Sequence, residues 1–306
     1  MSFSSDVKKE LCRIEPDTSC QKRAELYGLL LCGHQFSPRG IVLQTENALV
    51  ADHAAVLLAQ EAGVIAEKTV PLSRHGAGGG IFTVSVSDLN SRLFLLEQFG
   101  HSPLEPHIKI NRDNLEGEAT VSAFLRGALL ACGTICDPQK GYRLELVLPR
   151  YHLSNSLAVL LGECCGGVFH PKMGTRGGSY VVYLKNSEEI ADLLTYLGAA
   201  NAAMVFMQVK MVKELRNDLN RKTNFDTANI DKTAAAAAEQ IEAIRKLKEK
   251  DMFCHLPEEL QELAELRMDH PELSLRELGQ RLSSPISRSG VNRRLKKIME
   301  MAKTEQ

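Results

Sequence analysis

Two distant stretches of the chain spell almost the same helix: AELYGLLLCG from Ala24 to Gly33, and FLRGALLACG from Phe124 to Gly133. Each carries glycine inside an apolar helical pattern, where it costs roughly 1 kcal/mol relative to alanine, so both copies need a packing reason for it. Gly28 and Gly33 in one copy, and Gly127 and Gly133 in the other, would let two helix backbones approach where side chains would hold them apart. The plainer alternative is two unrelated core helices with incidental glycines.

The repetition extends beyond these helices. GGGIFTVSVSDLNSRLFLLEQFG from Gly78 lines up with RGGSYVVYLKNSEEIADLLTYLG from Arg176. Both read as a Gly-rich turn, a strand, a polar helix start at Ser87 or Ser187, an amphipathic helix and a closing glycine. IVLQTENALVADHAAVLLAQEAG from Ile41 and YRLELVLPRYHLSNSLAVLLGECCG from Tyr142 likewise match as strand, polar break and helix. EKTVPLSR from Glu67 and VFHPKMGT from Val168 leave room for a further strand in each copy.

The expectation is an α+β domain over residues 1–222, built as a pseudo-twofold pair of αββαββ repeats (1–100 and 101–200). Phe82, Val84, Val86, Val181 and Tyr183 mark strands with one face under helices and the other open to a partner. A helical linker (223–252) and an all-α helix-turn-helix domain (253–306) are expected to follow.

A formal net charge of −1 over 306 residues gives no global basic signal, so a nucleic-acid surface must be a local concentration of Lys and Arg. The charged start MSFSSDVKKELCRI lacks the apolar core and cleavage site of a signal peptide, and no apolar run is long enough for a membrane span. The chain therefore reads as cytoplasmic, with no membrane partner. The eight cysteines form no CxxC pair, which argues against a disulfide framework or zinc ribbon. Cys132, Cys136, Cys164 and Cys165 could gather around a soft metal; reduced core thiols are the plainer reading.

Toward the C-terminus, TAAAAAEQIEAIRKLKEK is composed of strong helix formers, and Leu256-Pro257 opens a new module. The preceding Arg216, Asn217, Asn220, Arg221, Lys222 and Asn229 suit either phosphate contact or capping at a junction. Leu260, Leu263 and Leu266 mark a first short helix, and Ser274 with Glu277 makes a capping box for a second. After the turn SSPIS, RSGVNRRLKKIMEMA places Val291, Leu295, Ile298 and Ala302 inward at helical spacing.

An apolar inner stripe under a basic outer face is what major-groove insertion requires, although a basic run is more often just a solvated helix face. The candidate DNA-binding residues are Ser287, Arg288, Ser289, Asn292, Arg293, Arg294, Lys296 and Lys297. Arg288, Ser289, Asn292 and Arg293 suit base edges; Arg294, Lys296 and Lys297 suit phosphates.

LRGALLACG from Leu125 resembles the LAGLIDADG helix of homing endonucleases, with Gly127 and Gly133 on the motif glycines. LYGLLLCGH from Leu26 matches less well, because its second glycine comes one residue early. The resemblance implies that the penultimate motif residue is a metal-binding acid; here Cys132 and Gly33 stand there. Neither supplies the oxygen ligands that Mg²⁺ wants, so a nuclease-like scaffold with no catalytic residue, metal or cofactor is expected. A nuclease with relocated carboxylates, Asp137 foremost, is the enzymatic alternative.

Taken with SFSSDVKKELCRI, RNDLNRKTNFDTANIDKTAAAAAEQIEAI and SLRELGQRLSSPISRSGVNRRLKKI, the whole chain resembles the WhiA family. That resemblance implies a DNA-binding transcription regulator of cell division, chromosome segregation and sporulation, acting on double-stranded promoter DNA at the nucleoid. A further reading makes the large domain a docking surface for another transcription factor.

Overall fold

A computed structural model describes residues 2–70 and 80–303. Two compact units divide it, Met1–Lys213 and Glu214–Gln306. In the first, a short helix α1 (Phe3–Leu11) precedes two copies of one pattern. The first copy runs α2 (Ser19–Leu31), β1 (Gln35–Ser37), β2 (Gly40–Thr45), α3 (Ala48–Ala62), β3 (Glu67–Thr69), β4 (Phe82–Val86) and α4 (Leu89–Gln98). The second runs α5 (Glu118–Cys132), β5 (Gly133–Ile135), β6 (Leu144–Leu148), α6 (Tyr151–Glu163), β7 (Lys172–Arg176), β8 (Ser179–Leu184) and α7 (Ser187–Tyr196). Both sheets are antiparallel with the same order, β1-β2-β4-β3 and β5-β6-β8-β7, which is the repeated αββαββ expected from the sequence.

α2 and α5 meet at the centre, and two of the four motif glycines make that contact. A Cβ on Gly28 would lie 2.1 Å from the Phe124 carbonyl oxygen and 3.0 Å from the Ala128 nitrogen. A Cβ on Gly127 would lie 2.1 Å from the Glu25 carbonyl oxygen and 2.9 Å from the Leu29 nitrogen. The contact is reciprocal, each glycine facing the residues three before and one after the other, as a twofold axis demands. Gly33 and Gly133 do something else. Gly133 opens β5 and faces its own helix at Leu129, and Gly33 faces the Val42 carbonyl oxygen of β2, so both serve the helix-to-strand turn.

Helix starts fall one residue from the serines read in the sequence: Asp88 caps α4 and Asn186 caps α7, each accepting a backbone N–H in the first turn. Gly78 and Gly79 of the Gly-rich turn lie outside the described residues, as does the whole PLSR segment. In the first sheet Ile41, Leu43, Val84 and Val86 are buried in the core, with Phe82 packed against it. In the second sheet the frame differs from that expected. Val182 and Leu184 join the core opposite Leu146 and Leu144, while Val181 and Tyr183 belong to the other face. SYVVYL is apolar in both frames, so only pairing decides which face it presents.

The open face of the second sheet carries more positive than negative charge, with the single carboxylate of Glu145 shared by two arginines. Glu145 accepts from Arg143 and, at 2.9 Å, from Arg176, and Arg143 lies over the Tyr183 ring.

The long helix α8 (Ala200–Glu249) is continuous. The sequence-based domain ends at 222 and 252 thus fall within α8 and just past its last turn. Arg216, Asn217, Asn220, Arg221, Lys222 and Asn229 lie inside this helix and are exposed, so no helix end is there for them to cap.

Candidate nucleic-acid interface

The second unit packs the end of α8 with α9 (Glu258–Asp269), α10 (Leu275–Arg281) and α11 (Arg288–Lys303). Its core is Ile244, Leu247, Leu260, Leu263, Leu278, Val291, Leu295, Ile298 and a few neighbours. Ala302 packs against this core half-buried. Ser274 starts α10 by a capping box: its hydroxyl accepts from the Glu277 backbone N–H at 3.4 Å, and its own N–H donates to the Glu277 carboxylate at 2.9 Å.

The turn between α10 and α11 is tight for a local reason. Gly279 packs so closely that a Cβ would sit 2.4 Å from the Ile286 carbonyl oxygen, and the Ile286 N–H donates to the Gly279 carbonyl at 3.0 Å. Glu262 of α9 holds the same turn by accepting from the Ser283 N–H at 2.6 Å and its hydroxyl at 2.7 Å. These bonds hold the Glu262 carboxyl below the usual glutamate range.

α11 carries six basic residues to one acidic, which gives the local positive charge that the chain as a whole lacks. Arg288, Ser289, Asn292, Arg293, Lys296 and Lys297 are exposed. A groove of about 850 Å³ beside α9 gathers Ser289, Asn292, Arg293, Arg294, Lys296 and Lys297, and leaves Ser287 and Arg288 outside its lining. The Ser287 hydroxyl is turned to the helix start, accepting from the Gly290 N–H at 3.3 Å. Arg294 is half-buried and ion-paired with Glu259 of α9 at 2.5 Å, which sets it apart from the other cations.

Sequence reading missed Arg267 altogether. It is 1% exposed, and its guanidinium donates to the Leu273 carbonyl at 2.8 Å, tying the end of α9 to the loop before α10. Its place at helical spacing after Leu260 and Leu263 was the available signal.

In the first unit, the ends of α2 and α5 stand where the LAGLIDADG resemblance puts the acids. Cys32 closes α2 and Cys132 ends α5, its thiol donating to the Ala128 carbonyl at 3.3 Å; the neighbouring Cys132 thiol and burial push the Cys32 thiol well above its usual range. The Lys8 ammonium lies beside them, donating to the Leu130 carbonyl at 3.1 Å. Two thiols and an ammonium are a poor donor set for a hard dication. Asp137 sits in the turn after β5, its carboxylate accepting from the Gln139 N–H at 2.9 Å. Among the described residues, no group of three or more His, Cys, Asp or Glu could hold a metal ion, the set Cys132, Cys136, Cys164 and Cys165 included.

The comparisons with known proteins agree with this architecture. Residues 219–302 match the family model of the WhiA C-terminal HTH domain, and residues 121–216 that of the WhiA LAGLIDADG-like domain. The chain is 37% identical to a probable cell division protein WhiA of Thermoanaerobacter sp. (strain X514), over 99% of this chain and 98% of that one. It is 36% identical to the Bacillus velezensis protein of the same description, over 99% and 96% of the two chains. Its fold matches a crystal structure of full-length DUF199/WhiA from "Thermatoga maritima" with a TM-score of 0.59 at 22% identity, covering 99% of both chains. With relatives matched end to end and family models covering residues 121–216 and 219–302, the chain belongs to the WhiA family.

Proposed function

We propose that this chain is a DNA-binding transcription regulator acting in cell division, chromosome segregation and sporulation, and that it grips promoter DNA mainly through α11. The observation that carries the reading is the two-sided character of that helix: Val291, Leu295 and Ile298 are buried, while Arg288, Asn292, Arg293, Lys296 and Lys297 are exposed. Such a helix after a tight turn enters the major groove with its first residues at base edges and its later cations on phosphates. Arg288, Ser289, Asn292 and Arg293 are assigned to bases, Arg294, Lys296 and Lys297 to phosphates, and Ser287 to the helix start beside them. The relatives' description as probable cell division proteins supports the cellular role.

The repeat domain adds little DNA affinity in this reading, because the strands IVLQTEN and IFTVSVS of its first sheet carry no Lys or Arg and the second sheet's Arg143 and Arg176 are tied to Glu145. It is a scaffold without nuclease activity, since Cys132 and Gly33 stand at the acid positions and Asp137 is engaged in its own turn. Another transcription factor is a partner this domain could dock.

Mapping genome-wide occupancy and footprinting the recovered promoter fragments with the full-length chain tests the reading. Discrete protected sites that Arg288→Ala blurs and Lys297→Ala weakens evenly are expected. Binding that is indifferent to sequence, or metal-dependent nicking of a plasmid carrying the site that Asp137→Asn removes, would overturn it.

A further inference from the structure

A cavity of about 580 Å³ opens in the first unit where α1, the end of β2 and the end of α5 converge. It is lined mainly by polar groups: Ser5 and Lys8 from α1, Thr45 at the end of β2 and Asn47 before α3, Cys132 at the end of α5 and Thr134 in β5. Lys8 is the unusual member. Burial is the main influence on it and lowers its pKa from the usual lysine value, with Cys132, Cys12 and Glu46 acting in the opposite sense. Among the described residues no carboxylate pairs with it; its hydrogen-bond acceptor is the Leu130 carbonyl, and Glu46 is an exposed residue of the rim. A desolvated ammonium beside a cavity, compensated by one carbonyl, leaves a charge that an entering anion would neutralise at short range.

The rest of the lining suits a small polar guest. The Asn47 side chain is already committed, donating to the Ser5 carbonyl at 3.5 Å and accepting from the Leu49 N–H at 3.0 Å, so it fixes the wall. Thr45 is similarly engaged, accepting from the Asn47 N–H at 3.2 Å. Ser5 and Thr134 present hydroxyls that can donate to an oxyanion, while the Cys132 thiol is committed to the Ala128 carbonyl at 3.3 Å. One cation with hydroxyl donors is the chemistry of a carboxylate or phosphate site, and the one carboxylate of the lining, Glu46, is exposed to solvent.

We propose that this cavity binds a small oxyanion-bearing metabolite, phosphorylated or carboxylated, with its anionic group on the Lys8 ammonium and its oxygens within reach of the Ser5 and Thr134 hydroxyls. The repeat domain then carries a ligand site of its own at the position where its nuclease-like scaffold lacks the metal-binding acids.

The test uses the full-length chain labelled with ¹⁵N, titrated separately with inorganic phosphate, adenosine 5′-monophosphate and citrate, with adenosine as the neutral control. Saturable shifts of the Ser5, Asn47, Cys132 and Thr134 amides with at least one anion, and none with adenosine, are expected. Lys8→Gln should weaken that binding about tenfold or more, whereas Lys8→Arg should keep most of it. Should Lys8→Gln fail to fold, the wild-type shift map and Lys8→Arg decide the matter. No saturable shift with any anion, shifts centred elsewhere, or equal affinity in a folded Lys8→Gln chain would overturn the proposal. Shifts of this same set by a DNA duplex but by none of the three anions would also overturn it, in favour of a nucleic-acid phosphate.

Discussion

The Glu25 carboxylate of α2 and the Arg126 guanidinium of α5 form a buried ion pair across the central helix contact, at 2.9 Å from Nε and 2.8 Å from Nη2. The other Glu25 oxygen lies 2.7 Å from His53 Nε2, and Arg126 also donates to the Leu197 carbonyl at 3.3 Å. Removing one partner leaves an uncompensated charge in the interior, which costs about 3–5 kcal/mol, while replacing both by apolar groups costs far less. Arg126→Met is therefore expected to destabilise the first unit by about 3 kcal/mol or more, and Glu25→Leu with Arg126→Met to recover much of that loss. Chemical denaturation followed by circular dichroism checks this, since the chain has no Trp to report by fluorescence.

Gly28 and Gly127 make a sharper prediction because helix propensity alone would favour alanine by roughly 1 kcal/mol. A Cβ at either site meets backbone of the other helix at 2.1 Å, which only a shift of the whole helix can relieve. Gly28→Ala and Gly127→Ala are each expected to lower stability by about 1–3 kcal/mol. Gly141→Ala, whose Cβ meets nothing within 4 Å, should be neutral or slightly stabilising. Thermal melts of the three variants side by side discriminate packing from propensity.

Glu259 restrains one cation of α11 and adds negative charge to the groove beside it. Glu259→Gln is expected to tighten DNA binding several-fold and to steepen its dependence on salt by about one unit as Arg294 becomes available. Fluorescence anisotropy over a salt series measures both. An unchanged slope would mean that Arg294 does not reach a phosphate.

Acid should loosen the second unit first at its turns. Glu277 is held below the usual glutamate pKa of 4.5 by hydrogen bonds from Ser274, and Glu262 by those from Ser283. A carboxyl whose pKa is depressed in the folded state contributes stability above its unfolded value and loses it as pH falls through the folded one. The unit's melting temperature is expected to drop from pH 4.5 downward, less steeply in Glu262→Gln. Ser274→Ala should cost about 1 kcal/mol at neutral pH, where the cap is intact.

Much of this architecture was legible because it is written twice. Glycine in an apolar helix, matched against a second copy, gave the central contact, and the capping box and inner stripe of α11 gave the C-terminal module. What escaped depended on pairing in space. The frame of SYVVYL is ambiguous until β6 sets its register. Glu25 and Arg126 look like ordinary surface charges along the chain and become buried only through partners distant in sequence, whereas Arg267 stands in the apolar spacing of its helix and is satisfied by the loop at Leu273. The half-buried setting of Lys8 beside Leu130 belongs to the same class.

The reciprocity of Gly28 and Gly127 also bears on assembly. Each central helix offers the other a face of the same shape, so one repeat is a surface complementary to its own kind. The segment between Gln98 and Glu118 joins two such surfaces in one chain and turns a concentration-dependent encounter into an intramolecular one. Because the two repeats are covalently fixed in a one-to-one ratio, each is free to specialise: one can keep Arg126 where the other has Tyr27, an asymmetry that a dimer of identical subunits could not hold.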